Sequence, residues 1–154
     1  MRNPQLAEQL IEMMKIDQEL RLAAKPGKEL INYLIYAIDG VHGERLRRII
    51  DVHGYPTEAV VGADALHALW LVVQHQDFDV SLQEECLKNC NFDLADEAHL
   101  TDRVLVNRGR PQRFGTQWYR KDGKLMLRPI EDKKNIDKLR ESHGLPKLKE
   151  TLQA

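Results

Sequence analysis

The sequence predicts a mainly α fold, a compact helical bundle with one C-terminal β-hairpin and short terminal helices. Three observations lead there. Apolar residues recur at helical spacing from Leu6 to Val106, glycine and proline punctuate those runs, and one Asp-Gly pair, Asp122-Gly123, separates two short apolar runs. The chain has 154 residues, and one domain takes about 100 to 200, so a single domain over residues 1–154 is expected.

Asn3 followed by Pro4 opens the first helix, because the asparagine side chain accepts a bond from the first turn and proline has no N–H to lose there. Leu6, Leu10, Met13, Met14 and Ile16 follow at helical spacing until Lys25-Pro26-Gly27 stops the run. Residues 28–38 are apolar yet rich in branched and aromatic side chains; a helix is expected, with a strand as the alternative. From Arg45 to Val52, Leu46, Ile49 and Ile50 mark one face of a helix that closes at His53-Gly54-Tyr55-Pro56, and the same stop returns at His143-Gly144-Leu145-Pro146.

Gly62 to Gln76 is hydrophobic nearly all round, the pattern of a buried central helix. Ser81 to Asn91 is amphipathic, and a helix from about Asp96 to Asn107 ends at Gly109. Strands over Arg113–Tyr119 and Leu125–Leu127 then flank Lys121-Asp122-Gly123-Lys124 as a hairpin. Asp132 is expected to cap a helix to about Ser142, and Pro146 to open a short last one.

Composition narrows the function. Hydrophobic residues at 42% and charged residues at 31% describe a globular chain, and 23 Lys plus Arg against 24 Asp plus Glu give a net charge of -1, which argues against a nucleic-acid binder held by bulk charge. No signal peptide and no membrane-length apolar run is visible. Cys86 and Cys90 stand at i,i+4, a spacing that suits a shared helix face better than a disulfide, so a cytoplasmic location is expected. Charge is uneven along the chain: eight acidic residues against one lysine from Asp77 to Asp102, then seven basic residues against one aspartate from Arg103 to Lys124. Such blocks either attract each other within the fold or feed an anion site.

Polar residues interrupting apolar helices are the candidates for chemistry. His75, at the end of the central helix in Gln74-His75-Gln76-Asp77, suits general acid/base work near neutral pH, with Asp77 or Asp102 as the carboxylate that fixes its tautomer. Asp102-Arg103 interrupts Leu100-Thr101 and Val104-Leu105-Val106, and a buried charge there needs a partner. Asp17 and Arg21 stand at the spacing of a helical ion pair. Gln112, Gly115, Thr116 and Gln117 offer amides, a hydroxyl and a glycine that permits close backbone approach. The six histidines make no HExxH and no i,i+4 pair, so a metal site would need distant residues such as His53, His75 and Asp77 or Asp102. Nucleophile elbows and phosphate-cradling glycine patterns are absent from the sequence.

The ordered strings Asp17-Gln18-x-x-Arg21, His53-Gly54-Tyr55-Pro56, Gln74-His75-x-Asp77, Leu100-Thr101-Asp102-Arg103, Gly109-x-Pro111-Gln112 and Phe114-Gly115-Thr116-Gln117 resemble a bacterial family catalogued only as a domain of unknown function. The resemblance spans residues 13–150 and brings no activity. In that pattern Tyr55 stands where tryptophan is more frequent and Phe114 where tyrosine is usual.

The expectation is a small-molecule pocket with acid/base chemistry, by hydrolysis or elimination, on a small polar or acylated compound. His75, Asp77 and Asp102 are its candidate catalytic residues, and Arg103, Gln112, Thr116, Gln117, Asp17, Arg21 and His53 its candidate substrate-binding residues. No metal, cofactor, nucleic-acid or membrane partner is expected. The alternative is a non-catalytic binding module whose polar residues form a structural network.

Overall fold

The structure is a computed structural model that describes residues 3–25 and 27–151; Pro26, part of the expected first helix stop, lies outside the described residues. The chain divides into two compact units, residues 1–92 and 93–154.

In the first unit, α1 (Pro4–Ala23) starts as the sequence predicts, with Asn3 Oδ1 accepting from the Leu6 N–H at 3.1 Å and Pro4 in the first helical position. The Asn3 N–H donates to the Val60 carbonyl at 2.7 Å, which ties this entry to the short helix α3 (Glu58–Val61). Leu6, Leu10 and Met13 are buried, and the next residue on that stripe is Asp17, while Ile16 is exposed. A carboxylate thus occupies a core position of α1, and the apolar stripe assigned to Ile16 belongs to its neighbour.

The next helix, α2 (Glu29–His53), is one uninterrupted element. It replaces the two segments expected at 28–38 and Arg45–Val52, and the strand alternative for 28–38 falls away. Gly43 is a contact rather than a break: a Cβ there would lie 2.5 Å from Gln76 Oε1, so the missing side chain lets the Gln76 amide press against α2. The helix stops at Gly54, whose φ of 74° is open to glycine and whose N–H donates to the Ile50 carbonyl.

The central helix, α4 (Ala63–Val73), buries seven of its residues, among them Leu69, Val72 and Val73, and packs chiefly on α1. It ends before Gln74, so His75 sits in the turn that follows and not on the helix itself. Asp79 then caps α5 (Val80–Asn89) by accepting from the Leu82 N–H at 3.0 Å.

In the second unit, α6 (Leu94–Asn107) is capped by Asp93 and so begins two residues before the expected Asp96. Strands β1 (Trp118–Lys121) and β2 (Lys124–Leu127) form the expected antiparallel hairpin, with Trp118 opposite Leu127. Asp122 at φ 52° and Gly123 at φ 75° are both left-handed, the condition of the tight turn that matches strand twist. The strand expected to begin at Arg113 starts only at Trp118. Residues 113–117 are a loop because side chains have taken up their backbone groups. Asp132 caps a turn, accepting from Lys134 and Asn135 N–H groups at 3.0 and 3.3 Å, and the helix expected to start there, α7 (Ile136–Ser142), begins after Asn135. Gly144, at φ 67°, ends it, and α8 (Leu148–Thr151) is the short last helix. Among the described residues no helix is long and apolar enough to cross a membrane.

Candidate functional site

Each unit holds its own group of buried polar side chains. In the first, the carboxylate of Asp17 is 1% exposed. Its Oδ1 lies 3.0 Å from His75 Nδ1 and accepts from Arg21 Nε at 3.0 Å, and its Oδ2 accepts from Gln18 Nε2 at 2.8 Å. Arg21 reaches on through Nη2 to Asp39 Oδ1 at 2.6 Å. The carboxylate on the imidazole is therefore Asp17, in place of the expected Asp77 or Asp102. Asp77 is exposed and accepts from Gln83 Nε2 at 3.4 Å.

The turn that carries His75 is held from beneath. The buried Gln83 donates to the carbonyls of Val73 and Gln74 at 3.3 and 3.2 Å, groups that the end of α4 leaves without helical partners. The buried Gln76 donates to the Val72 carbonyl at 3.3 Å. Two buried atoms lack a hydrogen-bond partner among the described residues, His42 Nδ1 and Gln76 Oε1.

Electrostatics separates the two carboxylates that share Arg21. Burial pushes Asp17 up, but the bonds from His75 and Arg21 more than offset it and hold the carboxyl below the usual range. Burial also pushes Asp39 up, and there the Arg21 charge does not offset it, so Asp39 lies above the usual range. Burial likewise holds the His42 imidazole below its ordinary value of 6.5. With both carboxylates drawn to it, Arg21 is a strut between α1 and α2 rather than an open anion anchor.

His53 ends α2 and is exposed, lining a surface groove of about 370 Å³ with Gln9, Arg45 and Arg48. Hydrogen bonding to Cys90 and burial push the Cys86 thiol up, which disfavours its thiolate, and both cysteines are buried. A third polar group joins Arg47 of α2 to Asp79 at 2.8 Å and to Glu85 at 2.8 Å, so part of the acidic block finds its cation far upstream of Arg103.

In the second unit, Asp102 is fully buried on α6. Its Oδ1 accepts from the N–H groups of Arg113 and Phe114 at 2.7 and 2.9 Å, and its Oδ2 from the Thr116 N–H and hydroxyl at 3.0 and 2.9 Å. The loop's carbonyls are met by buried Arg140, whose Nη1 donates to the Phe114 oxygen at 2.6 Å. Gln112 is also fully buried; its amide donates to the Gln117 and Arg128 carbonyls at 3.0 and 2.8 Å and accepts from the Gln117 N–H at 2.8 Å. Gly115, at φ 69°, is closely approached by the protein itself: a Cβ there would lie 3.1 and 3.2 Å from side-chain methyls of Ile136 and Leu148. Arg103 Nη1 lies 3.5 Å from Gln117 Oε1.

The expected residues therefore gather in two sets, Asp17, Arg21 and His75 in the first unit and Asp102, Arg103, Gln112, Thr116 and Gln117 in the second. Sequence reasoning missed Asp39, His42, Gln76, Gln83 and Arg140. Only Arg140 and Gln83 carried a visible signal, as polar residues on otherwise apolar helix faces. Among the described residues no group of three or more His, Cys, Asp or Glu side chains could hold a metal ion.

A family model described as a family of unknown function, DUF6624, matches residues 4–154 and so runs through both units. No curated protein and no solved structure matches the chain.

Proposed function

We propose, for a chain that belongs to DUF6624 and takes no assigned activity from that family, that His75 is a general acid/base oriented by Asp17, acting by hydrolysis or elimination on a small polar or acylated compound. The single observation behind this reading is the 3.0 Å contact between His75 Nδ1 and the buried Asp17 carboxylate. A carboxylate accepts but does not donate, so the neutral ring carries its proton on Nδ1 and presents the Nε2 lone pair. That nitrogen takes a proton from water or from the substrate and returns it to the leaving group. The His75 side chain is 16% exposed, enough to meet a small ligand. Asp102 and Gln112 hold the 113–117 loop within the second unit, Thr116 being bonded to Asp102 through both its N–H and its hydroxyl.

A second reading rests on a different observation. Asp17 receives three side-chain donors and Asp102 four donors, the saturation that a purely structural network requires. A screen of small esters, amides and acylated compounds with wild type and His75→Gln separates the two. Turnover lost by at least ~100-fold in His75→Gln, with an unchanged melting temperature, supports the acid/base reading. A large fall in melting temperature without any turnover supports the network.

A further inference from the structure

We propose that the outward face of α2 is a self-association surface on which a second copy of the chain docks antiparallel. Residues 30–38 of this helix are apolar except for Asn32, yet none of them is buried. Leu30 and Tyr33 are each 69% exposed, Tyr36 73% and Val41 57%, and Phe78 beside them is 58% exposed. A helix apolar on nearly every side belongs in an interior. Its buried residues, His42, Gly43, Leu46 and Ile49, all lie in the C-terminal half, and in the N-terminal half the first unit reaches the helix through the Arg21–Asp39 pair without burying any residue of the 30–38 segment.

Shape and area name the occupant. A cleft of about 310 Å³ lies among Tyr36, Ala37, Gly40, Val41, Glu44 and Phe78, and the place of a Gly40 Cβ is open space. Two turns earlier on the same stripe stand the projecting side chains Tyr33 and Leu34. An antiparallel copy turned about a two-fold axis at Ala37 sets Leu34 against Gly40 and Tyr33 against Val41 of its partner. Each copy then supplies both knob and hole, the self-complementarity that a two-fold interface demands. A parallel copy would instead set Leu34 against Leu34 and leave Gly40 against Gly40. The exposed parts of these apolar side chains come to about 700 Å² per copy, close to the ~800 Å² each partner buries in a standard interface.

Sedimentation equilibrium of the full chain from low to high micromolar concentration is expected to show a monomer-dimer equilibrium. Val41→Glu, an exposed position, is expected to leave a monomer with an unchanged circular dichroism spectrum. Ala37→Cys is expected to form a disulfide-linked dimer on oxidation, because residue 37 faces itself, whereas Cys86 and Cys90 are buried and do not compete. Leu30→Cys is expected not to link, its counterpart lying fourteen residues along the helix, about 21 Å away. A wild type monomeric at every concentration, a dimer unaffected by Val41→Glu, or linking of Leu30→Cys as ready as that of Ala37→Cys would each overturn the proposal.

Discussion

Replacing Asp102 by Asn keeps the shape of a fully buried side chain and removes its charge. With the amide oxygen toward Arg113 and Phe114, the new NH₂ faces the Thr116 N–H and hydroxyl, now 3.0 and 2.9 Å from the carboxylate. The hydroxyl can turn and accept, but the N–H cannot, and one stranded buried donor costs about 1–3 kcal/mol. The bonds from Arg113 and Phe114 lose their charge assistance, about 1 kcal/mol each. The opposite rotamer strands two N–H groups and is worse. The expected loss is therefore about 3–5 kcal/mol, a large share of the roughly 5–15 kcal/mol that holds a domain together. Amide hydrogen exchange followed by NMR reads it directly: protection of the Arg113, Phe114 and Thr116 amides should fall by about 100-fold or more. A loss under about 1 kcal/mol with protection unchanged would refute the holding role and return Asp102 to the candidates for chemistry.

Gly43→Ala should destabilise by about 1–3 kcal/mol although alanine favours the helix by about 1 kcal/mol, because its Cβ meets Gln76 Oε1 at 2.5 Å; a raised melting temperature would contradict this. His42 and His99 both lie below their ordinary value of 6.5 through burial, so the unfolded chain takes up their protons first. Their contribution to stability is then complete above about pH 6.5 and lost as pH falls below it. The urea midpoint should drop between pH 7 and pH 5, less so in His42→Gln, and a flat profile would exclude the effect. Arg47→Met removes the guanidinium that holds the α5 cap Asp79 and Glu85, but the side chain is 36% exposed. The loss should be about 1 kcal/mol and shrink in high salt; a salt-independent loss would point to packing instead.

The fold was legible where local rules act alone. Asn3-Pro4, His53-Gly54, Asp122-Gly123 and His143-Gly144 all mark the boundaries that their caps and turns dictate. The reading failed where a distant side chain overrode the local pattern. The strand expected at 113–117 became a loop because Asp102 and Gln112 satisfy its backbone groups, and no periodicity reports such bonds. The two segments expected at 28–38 and Arg45–Val52 are one helix, and Gly43 between them is kept small by Gln76, thirty-three residues on. The candidate site was legible as a set of residues and not as pairings. Asp17 continues the stripe Leu6, Leu10, Met13, so its burial could have been read from spacing; that its partner is His75 could not, since the two are 58 residues apart.

In the proposed chemistry Asp17 holds His75 with its proton on Nδ1, so that Nε2 is the working nitrogen. Long-range ¹H–¹⁵N NMR of the imidazole nitrogens in neutral solution tests it most directly. The predicted result is an Nδ1-protonated neutral ring in wild type that loses this preference in Asp17→Asn. An Nε2-protonated ring in wild type, or one indifferent to Asp17→Asn, would contradict it.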